Sequence, residues 1–193
     1  MRYIGGKHWI KDQLAAAILP HAHGRRLIEP FCGGLSATVA LKPQIAADAS
    51  EPLIRLIQAI RSGWLPPEEV TEQMYNEVKV GPHDIMWCYV GLCCTWGGKW
   101  WGGYVRPHER QRQPTKAAAK RLVEQVRFTQ STQFFHRSYE QTPVEYGDVV
   151  YCDPPYKGTT TGWPGTEPFN HDQFWEWVKW VAGNGVLVFV SEF

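Results

Sequence analysis

In the stretch "DVVYCDPPYKG", residues 148–158, a short apolar run ends in an acid, two prolines and a tyrosine. Val149, Val150 and Tyr151 read as a buried strand, opened by Gly147 and Asp148. Pro154 and Pro155 cannot extend a central sheet, because proline has no backbone donor and fixes its own φ. The strand therefore runs into a stiff platform that carries a carboxylate, Asp153, and an aromatic ring, Tyr156. Rigid loops at the C-terminal ends of strands are where open α/β sheets place their ligands. A double proline straight after a buried strand has no cheap structural explanation.

Two further stretches belong to the same kind of site. In "EPFCGGLS", Glu29 to Ser36, Gly33 and Gly34 allow a tight turn and close backbone approach. The helix that follows, with Ser36 read as its N-cap, presents free N–H groups. The spacing is neither GxGxxG nor GxxxxGK[ST], so an ordinary strand–helix turn stays open as a reading. Asp48 ends the next strand, "QIAADAS", and could accept hydrogen bonds from ribose hydroxyls. It could equally cap the helix of "EPLIRLIQAIRSG", where Leu53, Ile57 and Ile60 share a face.

These sites need elements to hold them. Strand, helix, strand, helix over the first 63 residues predicts a parallel α/β sheet. From residue 64 the pattern turns helical. "PPEEVTEQMYNEVKV" opens with prolines and acids, as a helix N-terminus should. "HDIMWCYVGLCCTW" is an apolar helix, "GGKWWGGYVRP" a Gly-rich aromatic loop and "PTKAAAKRLVEQVRF" a basic amphipathic helix. Strand character returns in "TQFFHRSY", "DVVYCDPPY" and "VLVFV". The expected organisation is one α/β domain, residues 1–63 and 129–193, with a helical insertion at 64–128. "KGTTTGWPGTEPFN" reads as a loop near the substrate. In the helix after it, Phe174, Val178 and Val181 face inward, and Trp175, Trp177 and Trp180 are read as widening that stripe into the core.

Composition narrows the function further. The formal net charge of +1 hides a block between residues 96 and 137 with nine basic and two acidic residues, net +7. Such a block points to a polyanion partner, and a solvated helix face is the bland alternative. Five cysteines without a CxxC pair argue for buried, reduced thiols, with neither a disulfide framework nor a structural metal. The start, "MRYIGGKHWI", is interrupted by glycines and Lys7 and is no signal peptide. No apolar run approaches the ~18 residues of a membrane span. A soluble, intracellular chain is expected.

Four motifs in order resemble the Dam-like, D12 class DNA adenine-N6 methyltransferases, especially short phage-type members. They are "YIGGK" at Tyr3 to Lys7, "EPFCGG", "AAD" ending in Asp48, and "DPPY". The resemblance implies a Rossmann-like S-adenosylmethionine-dependent fold with a target-recognition insertion. It also implies double-stranded DNA as substrate and the cytoplasm of a bacterial host, with the gene carried by a phage or prophage. By the same resemblance, Tyr3, Lys7, Asp48 and Asp153 contact S-adenosylmethionine, Phe31 and Gly33 line its methionine end, and Ser138 and Tyr139 flank its adenine. Asp153, Pro154, Pro155 and Tyr156 form the catalytic motif. "CTWGGKWWGGYVR" looks like the DNA-recognition segment. Lys99, Arg106, Arg110, Arg112 and Lys116 would then meet phosphates, with one or two arginines for guanine edges. Trp100, Trp101 and Tyr104 either wedge beside the flipped base or form the insertion's small core.

The platform then has a chemical purpose. An exocyclic amine is a poor nucleophile because its lone pair is delocalised into the ring. The Asp153 carboxylate and the Pro154 carbonyl can each accept one amine hydrogen and so favour the tetrahedral nitrogen of the attacking state. The base must leave the duplex to reach them, and Tyr156 offers it a face. A cytosine-N4 methyltransferase could use the same platform. By the resemblance, members of the family continue beyond "VLVFV" into a final pair of strands that residues 1–193 do not supply, so either a truncated sequence or an exposed last strand is expected. An open apolar edge with possible self-association is expected there, and a DNA- or cofactor-binding module with little turnover is the alternative from another class.

Overall fold

The computed structural model describes residues 6–109, 112–158 and 169–192. Tyr3, Arg110 and most of the Thr/Gly/Pro-rich stretch after the DPPY platform lie outside the described residues. Five short strands form one sheet: β1 (Leu27–Glu29), β2 (Ile45–Asp48), β3 (Gln133–His136), β4 (Val149–Cys152) and β5 (Leu187–Val190). Every pairing is parallel and the order is β3-β2-β1-β4-β5, with Ile28 opposite both Ile45 and Val150. The chain thus builds outward from β1 through β2 to β3, then returns to the other side of β1 with β4. The crevice between the C-terminal ends of β1 and β4 is the point where the direction reverses, the preferred ligand position in such sheets.

The two-residue alternation of the strands serves both faces. Leu27, Val149, Tyr151, Leu187 and Phe189 pack with α1 (Lys11–Ala22) and α2 (Ser36–Leu41). Ile28, Val150, Cys152, Val188 and Val190 pack on the opposite face with α7 (His171–Gly183). Each fully buried aliphatic or aromatic side chain contributes about 1.5–3 kcal/mol. β5 is the outer strand among the described residues, and all four of its residues are half-buried. No helix among the described residues is long and apolar enough to cross a membrane.

The helices α3 (Glu51–Arg61), α4 (Glu72–Val80), α5 (Ile85–Cys93) and α6 (Pro114–Arg127) lie between β2 and β3 in sequence. One apolar cluster joins them: Leu53, Ile57 and Ile60 of α3 meet Tyr75, Tyr89, Leu92, Leu122 and Val126. The three helices of residues 64–128 therefore share their core with α3. All five cysteines are buried, Cys88, Cys93 and Cys94 among them in this cluster.

Several local expectations need correcting. Helix α1 was not anticipated; Pro20 lies inside it, and its alanines give no clear apolar stripe. The N-cap of α2 is Leu35, not Ser36, and Leu35 sits in the left-handed region at φ 62°. Complete burial of its side chain offsets that strained backbone. Helix α4 starts well after the prolines, because Thr71 Oγ1 accepts the Met74 N–H at 3.2 Å and fixes the first turn there. On α7, Phe174, Val178 and Val181 are buried as expected, and Trp177 packs against them. Trp175 and Trp180 are exposed instead, because they fall about 100° or more around the helix from the buried face.

Trp100, Trp101 and Tyr104 belong to the core of the insertion. Trp100 meets Trp87 edge-on at 4.8 Å, Trp101 meets Tyr75 at 5.1 Å, and the Tyr104 hydroxyl donates to Val70 O at 2.7 Å. Both indoles press on α5 at Gly91, where an added Cβ would lie 2.7 Å from Trp101 and 2.8 Å from Trp100. Gly91→Ala should lower stability by about 1–3 kcal/mol through overpacking. Urea unfolding of the two proteins checks this, and an unchanged midpoint would contradict the packing described.

Candidate active site

Asp153 follows β4 directly, at the reversal point of the sheet. Lys7, on a single 3-10 turn (Lys7–Trp9) ahead of α1, places Nζ 2.6 Å from Asp153 Oδ1. The Tyr156 hydroxyl donates to the same oxygen at 3.1 Å, and the lysine stands 4.9 Å from the centre of the Tyr156 ring. Asp153 Oδ2 makes no hydrogen bond among the described residues. Lys7 is buried, Asp153 and Tyr156 are half-buried, and Pro154 is buried beside them. Burial pushes the Asp153 carboxyl above its ordinary range, and the adjacent ammonium opposes that push. The arrangement holds a desolvated carboxylate in one orientation, with one oxygen clamped and the other turned loose from it.

The glycine loop and the β2 acid are brought together as expected. Gly33, at φ 41°, donates its N–H to Asp48 Oδ2 at 2.9 Å, and the Ser50 N–H donates to Oδ1 at 2.9 Å. Asp48 is buried, which raises its pKa, while both backbone donors work the other way. It thus ties the loop after β1 to the turn ahead of α3, whose N-cap is Ser50 and not Asp48. Phe31 and Tyr139 stack at 5.5 Å and 23°, with Phe174 edge-on to both. Burial, with Glu140 second, pushes the Tyr139 phenol up to about 12. Ser138 is half-buried beside it.

Sequence reasoning gave no role to Glu29. It ends β1, between the strands that end in Asp48 and lead to Asp153, so three carboxylates line one edge of the sheet. Glu29 is 1% exposed, and its Oε2 has no hydrogen-bond partner among the described residues. Burial holds its carboxyl well above the usual carboxylate range; the nearby Thr38 hydroxyl, too poorly placed for a full hydrogen bond, opposes this in part, while Asp153 and Asp48 add repulsion. The available signal was positional: an acid at a strand's C-terminal end, as in the other two.

Of the residues expected to meet DNA, Lys99, Arg106, Arg112 and Lys116 are on the surface of the insertion, and two of these have acidic partners. Arg106 engages Glu72 with two nitrogens, and Lys116 meets Glu68 at 2.8 Å. Both acids precede the window in which the charge was counted, so part of its +7 is answered across space. Such exposed pairs are screened by solvent and add little to stability. Lys99 and Arg112 are exposed. Among the described residues, no group of three or more His, Cys, Asp or Glu is arranged to hold a metal ion.

Similarity to known proteins agrees with this geometry. The pattern of a family described as D12 class N6 adenine-specific DNA methyltransferase matches residues 3–82 and 101–174. The chain is also 26% identical over 205 aligned residues to the Retron Ec67 DNA adenine methylase of Escherichia coli, covering 89% of this chain and 68% of that one. A match over most of the chain, including the glycine loop, Asp48 and the DPPY platform, places it: the chain belongs to the D12 class N6 adenine-specific DNA methyltransferases.

Proposed function

We propose that this adenine-N6 methyltransferase takes its methyl group from S-adenosylmethionine, acts on an adenine swung out of duplex DNA, and grips the amine with Asp153 and Pro154. The observation that carries this reading is the Asp153 carboxylate at the sheet's reversal point, held through Oδ1 by Lys7 and Tyr156 with Oδ2 left to accept a hydrogen. The Pro154 carbonyl is the second acceptor, and its direction is fixed by the proline rings. Together they favour a pyramidal nitrogen over the planar ground state. Tyr156 supplies the face for the extruded base. Lys7 keeps Asp153 ionised despite its burial, so that it accepts rather than donates.

The residues present suit the proposed donor. S-adenosylmethionine supplies a methyl group already activated on a sulfonium, and it also carries an ammonium. The carboxyls of Asp48 and Asp153 along one sheet edge suit a cationic ligand, and Glu29 between them adds a buried polar oxygen without a partner among the described residues. Lys7, Phe31, Gly33, Asp48, Ser138 and Tyr139 would border it, with Glu29 added from the structure. Lys99, Arg106, Arg112 and Lys116 would carry DNA phosphates.

Asp153→Ala should lower methyl transfer to unmethylated DNA by about 100- to 1,000-fold or more, the scale of one lost preorganised partner. Tritium incorporation measures it, and retained transfer would contradict the grip. Because the Asp153 pKa is raised, kcat/KM should fall off at acidic pH earlier than an ordinary aspartate would require. Lys7→Gln removes the opposing charge, so the acid limb should move to still higher pH; a shift downward or none would contradict this role. For Glu29 the folded state keeps its proton to higher pH than the unfolded chain. Stability therefore falls as pH rises from the ordinary glutamate range toward the raised value. Glu29→Gln should flatten that part of the stability profile and weaken S-adenosylmethionine binding, as read by urea titration and calorimetry. An unchanged profile with unchanged binding would contradict both roles.

A further inference from the structure

Helix α4 and the glycine-rich turn that follows α5 border an open cleft of about 550 Å³. That lies within the roughly 300–1,000 Å³ of small-ligand sites. The methyl-transfer chemistry leaves it unused. One wall is a single face of α4, where Glu72, Tyr75, Asn76 and Lys79 recur at helical spacing. The other wall carries Trp96 and Arg106.

Trp96 differs from the other aromatic residues of its turn. Trp100 and Trp101 pack against the apolar cluster, and Tyr104 is tied to Val70. Trp96 is 61% exposed. Its backbone is nonetheless tied in place by hydrogen bonds across the turn. The Trp96 N–H donates to Gly103 O at 2.7 Å, Gly102 N–H donates to Thr95 Oγ1 at 3.0 Å, and Thr95 pairs with Tyr104 in an antiparallel bridge. Gly97 and Gly98 take φ 64° and 73°, which side chains rarely adopt, so the turn is shaped to present the indole. Arg106 is held at the rim by its two contacts to Glu72, and Lys79 completes a cationic edge.

An indole face, an aromatic floor at Tyr75, the amide of Asn76 and flanking cations are the chemistry that receives an unstacked base and its phosphate. A base bound there is not the reacting adenine, whose amine belongs at Asp153. Trp96 also falls within residues 83–100, between the two stretches that match the family pattern. We propose that this cleft holds one unstacked nucleobase of the substrate DNA other than the target adenine, with Trp96 as its stacking surface and Asn76 and Arg106 at its edge. This rests on the proposed seating of DNA on the basic insertion.

The test couples the protein to single positions of the DNA. The recognition sequence is first read by mapping N6-methyladenine in DNA from cells expressing the protein. Duplexes of that sequence are then made with one abasic site at each position other than the target. Fluorescence anisotropy at fixed salt measures their binding to wild type, Trp96→Ala and Trp96→Phe, with circular dichroism confirming the fold. Trp96→Ala should weaken binding of the intact duplex about tenfold, and Trp96→Phe should retain most of it. One abasic position should weaken wild type by a similar factor and cost Trp96→Ala nothing further. Losses that add independently at every position, or unweakened binding by Trp96→Ala, would overturn the inference. Wild-type protein that binds no duplex would instead overturn the seating of DNA on the insertion, and this inference with it.

Discussion

The ion pair between Lys7 and Asp153 is the contact on which the site depends. It joins the chain's first described turn to the platform after β4, 146 residues later, across 2.6 Å. Removing two charges from water is costly, and a buried pair is often no more stable than an apolar replacement. The contact is therefore better understood through what it does for the carboxylate. Without the ammonium, burial alone would favour the protonated acid, and a protonated acid offers one acceptor fewer. With it, the partly buried group is held in one orientation and its ionised form is favoured, which on the proposed mechanism is the condition for a strong hydrogen bond to a developing charge on nitrogen.

The sheet order explains why one molecule can hold three carboxylates with three duties. Strands β2, β1 and β4 are neighbours, so Asp48, Glu29 and Asp153 stand along one edge. Their surroundings separate them. Asp48 accepts one N–H on each oxygen, from Gly33 and Ser50, and braces the loop. Asp153 has a lysine and a tyrosine on one oxygen. Glu29 retains an oxygen with no partner. Environment decides what each acid can do, in the manner of paired acids with divergent pKa values. The two aromatic groups divide likewise: Phe31 and Tyr139 build a stacked wall near the glycine loop, while the aromatic residues of the insertion mostly fill its core.

The parts of this arrangement that were legible in the sequence are those with strong local rules. Proline after a buried strand, glycine in a strand–helix turn and the short apolar run of β4 each restrict the backbone so tightly that few alternatives remain. The parts that were not legible depend on contacts distant in sequence. Helix α1 has too little amphipathic contrast to be seen, and its shape comes from packing on α2 and the sheet. Trp175 and Trp180 look like core by composition, yet the helix has only one face to bury. The basic block looked less compensated than it is, because Glu68 and Glu72 approach it only in the fold. Glu29 was written at the start of a recognised motif, and its burial without a partner could not be known from one dimension.

The charge state of Asp153 is open to direct observation. Carboxyl carbon-13 NMR on protein labelled at aspartate, with Asp153→Asn to assign the signal, follows its titration in the absence of substrate. The account predicts a carboxylate that is ionised at pH 7.5 and titrates above the ordinary aspartate value of about 3.9. A signal that titrates at the ordinary value, or that still reports a protonated acid at pH 7.5, would contradict it.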